Sequence, residues 1–287
     1  MNGQRTRTSG RHPVLDDAED VRAAAGALAE GCVVAHGFGN SYAVTARPDR
    51  AAVARVNRLK GRPDGRVGSV TTVPDRVPSL FDWTLLPAAL PRRQLRQLVE
   101  ELFLLGPFGF RGPAAAHVPD HLTAVRDGVA TVQLIGPGYR CPSNGFLAEA
   151  LDRTGDALLS VTSVSRSRHL AGAEQEPAHW RAEGVIADFG HEEDVRILVH
   201  DDEPAARRRH PHHAPMPTTV LSFHHAPGRS RSGLPVLTLE RHGSLSADHT
   251  RAVAATHGFA VVPAPRAARR LHSRTYADRR AQADSAG

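Results

Sequence analysis

Four stretches of this chain carry side chains able to do chemistry. Lys60-Gly61-Arg62 sets a compact ammonium and a planar guanidinium two positions apart. In an extended segment both would point to one face, a useful pair for the oxygens of a triphosphate. Residues 162–167 (TSVSRS) form a hydroxyl-rich loop after an apolar run, where hydroxyls and backbone amides can hold phosphate oxygens. Residues 218–221 (TTVL) and 240–243 (ERHG) add two threonines and Arg241, and residues 33–40 (VVAHGFGN) run from an apolar strand into a glycine-containing turn. Taken singly, each has a plainer reading. Cations favour helix C-termini, Ser/Thr loops turn chains, and TTVL reads as a strand.

The elements that must position these residues follow from periodicity. Residues 16–30 read as a helix capped by Asp16 or Asp17, with Val21, Ala24, Ala25 and Leu28 inward and Gly31 ending it. Residues 32–38 read as a strand buried on both faces, because apolar residues do not alternate there. A helix over 49–59 delivers Lys60 at its end. A strand over 66–73, a helix over 91–104 with proline at its start, a strand over 129–135, a helix over 144–153 and a strand over 157–162 follow. Further on, the pattern predicts strands at 185–187 and 196–199, a low-complexity loop over 201–217 containing RRRHPHH, strands at 218–222 and 236–239, a helix over 247–256 and a last strand at 259–262. Strands and helices mix without strict alternation. The fold class is therefore α/β, a twisted mixed sheet flanked by helices. Residues 1–13 are expected to be a disordered leader, 14–262 one domain, and 263–287 a basic, disordered tail dispensable for folding.

Composition narrows the functional classes. The 287 residues suffice for a full apolar core. Two cysteines, Cys32 and Cys141, are too few for a secreted disulfide scaffold, and the N-terminus has no apolar stretch of a signal peptide. A soluble, cytoplasmic protein is expected. Of 36 basic residues only Lys60 is lysine, and the formal charge of +6 suits anionic partners such as nucleotides or RNA. His210, His212, His213, His224 and His225 lack ligand spacing on a regular element, so no metal site is assigned to the protein.

In order and spacing the segments resemble the YrdC-like family of threonylcarbamoyl-AMP synthases. Its pattern has a strand leading into a P-T-[DE]-T turn, K-x-R at a helix end, a G-P segment and an arginine before a helix, then T-S-A-N-x-S, S-T-[VI]-[VL] and R-x-G. Here K-x-R is Lys60-Gly61-Arg62, G-P is Gly106-Pro107 and the arginine is Arg140. T-S-A-N-x-S aligns with residues 162–167, and the last two with residues 218–221 and Arg241-His242-Gly243. The resemblance implies an open concave cleft. It also implies a nucleotidyltransferase that joins ATP, bicarbonate and an amino acid, L-threonine in the family, into a carbamoyl adenylate for tRNA modification. Magnesium would enter with ATP. By that resemblance Lys60 and Arg62 would be catalytic, neutralising phosphate charge. Ser163, Ser165, Thr219, Arg140 and Arg241 would hold the nucleotide, and His36, Phe38, Asn40 and Tyr42 would line the amino-acid side. Transfer RNA or its modification proteins would be partners, with no membrane.

The chain departs from the pattern at the amino-acid turn, where Gly37-Phe38-Gly39-Asn40 stands for P-T-[DE]-T, and at Ser165, which replaces the asparagine. Weak use of L-threonine is expected. Two alternatives stay open: a paralogue acting on another carbamoyl adenylate in specialised metabolism, and a non-catalytic RNA- or nucleotide-binding protein on the same fold.

Overall fold

The structure is a computed structural model and describes residues 11–166 and 177–276. Its helices start where the local chemistry permits. In α1 (Ala18–Ala29) the Asp17 carboxylate accepts from the backbone N–H groups of Glu19 and Asp20, and in α2 (Arg50–Leu59) Asp49 does the same for Ala52. These caps satisfy donors that a helix N-terminus leaves bare. The remaining helices are α3 (Arg92–Leu105), α4 (Ser143–Thr154), α5 (Ala182–Phe189), α6 (Glu203–Arg209) and α7 (Ala247–Thr256).

The strands are β1 (Val33–Phe38), β2 (Ser41–Ala46), β3 (Ser69–Thr71), β4 (Phe108–Pro113), β5 (Thr123–Arg126), β6 (Val129–Gly136), β7 (Leu159–Ser163), β8 (Val195–Leu198), β9 (Val220–Ser222), β10 (Val236–Arg241) and β11 (Ala260–Pro263). They form one mixed sheet in the order β11-β10-β9-β4-β6-β3-β7-β2-β1-β8, with β5 also paired to β6. At the β1 end both faces are covered. Val33 and Ala35 pack with Ala52, Val56, Val185 and Phe189, while Val34 packs with Leu28, Phe146 and Leu147.

The other half of the sheet alternates instead. Phe110, Val132, Leu134, Leu221, Leu237 and Leu239 meet Leu98 and Leu102 of α3 and Val253 of α7. Their neighbours in sequence, Arg111, Gln133, Ser222, Thr238 and Glu240, line a cleft on the opposite face. Because successive strand residues point to opposite faces, the pattern that builds this core also leaves a polar face open.

Several local expectations change. The glycine turn at 39–40 leads into β2, so residues 33–46 are a hairpin. β4 and β5 were not foreseen, since glycine, proline and polar residues interrupt their apolar pattern. The strand expected over 66–73 shrinks to β3. Residues 185–187 lie inside α5, a helix rather than a strand. The expected loop over 201–217 contains α6, capped by Asp202 through Ala205 N–H.

The expected boundary at 262 falls inside β11, and residues 263–276 pack against the domain. A 3₁₀ turn (Pro265–Ala267) buries Ala267. Arg270 donates to the carbonyls of Gly243 and Ser244, the Trp180 indole donates to the carbonyl of Arg274, and the backbone N–H of Trp180 donates to the Tyr276 hydroxyl. Side-chain-to-backbone bonds and the ring contacts of Tyr276 with His179 and Trp180 hold this segment, none of which shows as apolar periodicity. Among the described residues no helix is long and apolar enough to cross a membrane.

Candidate functional site

The K-x-R pair is placed by a helix end. Lys60 is the last helical-region residue after α2, and Gly61 follows at φ 65°, the left-handed conformation that glycine adopts without a Cβ penalty. The chain therefore turns between the two cations, and they do not share a face as an extended segment would require. Lys60 runs inward. It is fully buried, and its Nζ donates to the carbonyl of Ser163 and, at 3.4 Å, to Ser165 Oγ. Burial, with Arg62 and Arg66 close by, holds its pKa well below the usual lysine value. Arg62 faces the cleft and donates to Thr162 Oγ1 at 3.0 Å, while its buried Nε has no partner. Burial, then Arg66, pushes its pKa down to about 10. Both cations thus converge on the end of β7, one from behind and one from the cleft.

Asn57, which the motif reading missed, fixes the loop that carries Arg62. Its Nδ2 donates to the carbonyls of Asp64 and Arg66 at 3.0 and 2.9 Å. An asparagine buried in the last turn of a polar helix was the available signal.

The cleft has a volume of about 1100 Å³ and brings together Phe38, Arg62, Ser163 and Arg241. Arg241 donates to Thr218 through both Nε and a terminal nitrogen, at 2.6 and 2.7 Å, and burial pushes its pKa down to about 10. Thr218, not Thr219, lines the cleft. Thr219 turns inward, donates to the carbonyl of Leu245 at 2.6 Å and accepts from Gly243 N–H. Ser165 sits behind the wall with Lys60. Arg140 is exposed, away from the residues that line the cleft. Ser167, the last serine of its motif, lies outside the described residues.

The expected amino-acid side divides. Phe38 faces the cleft, while the Tyr42 side chain is buried on the opposite face of the sheet with Ala35 and Val44, its hydroxyl donating to Glu203 at 2.8 Å. His36 is in the core. Its ring packs tilted against Phe146, its Nε2 sits 2.7 Å from Thr45 Oγ1, and burial lowers its pKa to about 4. Asn40 is tied up by its own amide, which donates to the carbonyls of His210 and His213 at 3.1 and 2.5 Å. The glycines of this turn answer to packing. A Cβ on Gly37 would lie 2.6 Å from carbons of the His200 ring, and one on Gly39 would lie 2.5 Å from Pro107 Cγ.

The cleft is strongly cationic. Arg62, Arg66, Arg111, Arg126, Arg241, Arg266 and Arg269 line it, against two carboxylates, Asp127 and Glu240. Glu240 accepts from Arg111 at 2.7 Å, and Asp127 lies 3.0 Å from His224 Nε2. Such a wall suits a phosphorylated ligand.

No family model and no curated protein matches the sequence. Solved structures do match. Sua5 of P. abyssi, crystallised with L-threonine, superposes with a TM-score of 0.56 at 19% identity, over 86% of this chain and 60% of that one. A doubly substituted variant of the same protein gives 0.54 at 19%, over 78% and 56%. The hypothetical protein smu.1377c from Streptococcus mutans UA159 gives 0.59 at 13%, over 85% and 94%.

The protein has the YrdC/Sua5 fold.

At these identities the likeness carries the fold. The chain matches less than two thirds of the length of the two Sua5 structures. Within the YrdC/Sua5 fold, the elements that bear the motifs, namely the end of α2, the end of β7 and the start of β9, converge on one open sheet face.

Proposed function

We propose that the cleft binds ATP and that the protein is a nucleotidyltransferase of the threonylcarbamoyl-AMP synthase type, forming a carbamoyl adenylate from ATP, bicarbonate and an amino acid. The observation that carries this reading is the meeting of Arg62, Ser163, Thr218 and Arg241, from segments far apart in sequence, on one wall of the cleft. Arg62 and Arg241 take the phosphates, and Lys60 keeps the Ser163–Ser165 turn in place from behind. The amine attacks bicarbonate and the resulting carbamate attacks the α-phosphate, so the residues act by position and charge. Both carboxylates of the cleft are already paired, so magnesium is held by the phosphates and water and arrives with the nucleotide.

The amino acid is one other than L-threonine, in a paralogue of specialised metabolism. This is favoured by the withdrawal of His36 into the core, of Asn40 onto the 210–213 loop and of Tyr42 onto Glu203, which leaves Phe38 on that side. Calorimetry with ATP should show Arg62→Ala weakening binding about tenfold or more, since bonds to charged groups are worth ~1.5–3 kcal/mol. An amino-acid panel with ATP and bicarbonate, followed by mass spectrometry of adenylate products, should show turnover with a residue other than threonine. Binding of ATP with no pyrophosphate release for any amino acid would make this a nucleotide-binding protein without the reaction, and unchanged affinity in Arg62→Ala would remove the phosphate site.

A further inference from the structure

The open sheet face carries a second constellation that nucleotide binding does not use. Ser222 Oγ lies 2.7 Å from His224 Nδ1, and His224 Nε2 lies 3.0 Å from Asp127 Oδ2. All three residues line the cleft. Ser222 ends β9, His224 follows two residues later, and Asp127 sits at the turn between β5 and β6, with φ 49° ahead of Gly128. Thr218 lies four residues before Ser222, a span of at most roughly 13 Å at ~3.3 Å per residue. The chain of bonds therefore stands in the same cleft as Thr218 and Arg241, with Arg111 and Arg126 close by.

The hydrogen-bond sense is fixed by elementary chemistry. An ionised Asp127 can only accept, so His224 Nε2 carries the proton and donates to it. His224 Nδ1 is then a bare lone pair and accepts from the Ser222 hydroxyl. This is a hydroxyl, a base and a carboxylate that orients the base, in series, with the two imidazole nitrogens exchanged relative to the familiar serine-hydrolase order. Burial lowers the His224 pKa, so the ring is neutral and free to take a proton. Arg111 is the register partner of Ser222 on β4, lines the same cleft and is held by Glu240 and Gln133. It supplies a fixed positive charge beside the serine.

We propose that Ser222, His224 and Asp127 form an acyl-transfer centre, with Ser222 as nucleophile, His224 as base and Asp127 as positioning residue, acting on an acyl phosphate or acyl phosphate ester. Ser222 Oγ attacks the acyl carbonyl carbon while its proton passes to His224 Nδ1. The carbon–oxygen bond to the phosphate breaks, His224 passes its proton to the leaving oxygen, and hydrogen phosphate departs as the anion that the arginines of the cleft favour, which returns the ring to its neutral form. Water then gives a proton to the neutral His224 as it attacks the acyl-serine, and His224 returns that proton to Ser222 Oγ as the carboxylic acid is released. The sum is acyl phosphate plus water giving acid plus phosphate, with no oxidant or reductant. The proposal stands on the three side chains and does not rest on ATP binding.

The test is a fluorophosphonate probe applied to the full chain, with the modified peptide mapped by mass spectrometry and acetyl phosphate as the turnover substrate. The expected result is one modification per chain, on Ser222, lost in Ser222→Ala and slowed about a hundredfold or more in His224→Gln, as removal of a general base implies. Asp127 is at an exposed hairpin tip, so Asp127→Asn should melt like the parent. It should nevertheless move the pH midpoint of labelling downward, because the imidazole loses its carboxylate, a shift that a purely structural bond would not produce. Acetyl phosphate should be hydrolysed by the parent and not by Ser222→Ala. Mapping on the unsubstituted chain keeps the test valid if a variant fails to fold. An unmodified Ser222, or labelling as fast in His224→Gln, would show that the chain of bonds only pins the β5–β6 turn to the sheet. Labelling without acetyl phosphate turnover would overturn the assigned substrate class.

Discussion

Lys60 turns its Nζ onto the carbonyl oxygen of Ser163, on the side of β7 that faces away from the cleft. The one lysine of the chain is thus a buried strut between the end of α2 and the turn after β7, and Arg62 is the member of the pair that meets the cleft.

This makes the two cations separable by substitution. Lys60→Met keeps the buried volume and removes the donor to Ser163, costing ~1–3 kcal/mol. Lys60→Ala also leaves a cavity, for ~2–5 kcal/mol in all. Neither should change ATP affinity as much as Arg62→Ala does. The sign with pH follows from the depressed lysine pKa. The unfolded chain binds the extra proton up to about pH 10.4, so parent stability gains from this group as pH rises towards that value. Urea midpoints at pH 8 and pH 10 should show a rise that Lys60→Met lacks. An equal rise in both would mean that Lys60 keeps its proton in the folded protein.

Gly37 and His200 form a second testable pair. The His200 ring occupies the space a side chain at 37 would need. Gly37→Ala should therefore destabilise by about 2–3 kcal/mol through overpacking. In the double variant with His200→Ala the alanine at 37 should cost much less. A cycle that sums additively would show that the ring moves aside freely.

Acid should unfold this protein early. Burial lowers the pKa values of His36, His200 and His213 to about 4, 4 and 3. Unfolded histidine titrates near 6.5, so the unfolded chain binds more protons below that pH and stability falls as pH drops from about 6.5 towards 4. Each group contributes ~2 kcal/mol of this loss by pH 5. Thermal melts from pH 8 to pH 5 should show a steep fall setting in below about pH 6.5. A melting temperature unchanged down to pH 5 would place these rings in water.

The segment after β11 should matter to folding. Ending the chain at Val262 removes the buried Ala267, the Arg270 bonds and the Tyr276 hydroxyl contacts. A loss of a few kcal/mol is expected, or a drop on the order of 10 °C in melting temperature. Tyr276→Phe alone should cost ~1 kcal/mol. A shortened chain that melts with the full one would restore the boundary at 262.

The sequence by itself determined what nearest neighbours along the chain control. Asp16 or Asp17 reads as the cap of α1 because a carboxylate there meets bare N–H groups whatever the rest of the chain does. The helices of α1, α2, α3, α4 and α7 followed from spacing, and the order of the motifs pointed to the fold. Tertiary structure decided where each side chain goes once the strands pair. Thr218 and Thr219 are adjacent and chemically alike, yet the sheet turns one to the cleft and the other to Leu245. His36 reads as a site residue until Phe146 packs on it, and Ser222, His224 and Asp127 lie together only because β9 and the β5–β6 turn border the same face. Contacts between residues a hundred positions apart leave no local period, so only the packed chain could show which of the candidate residues meet.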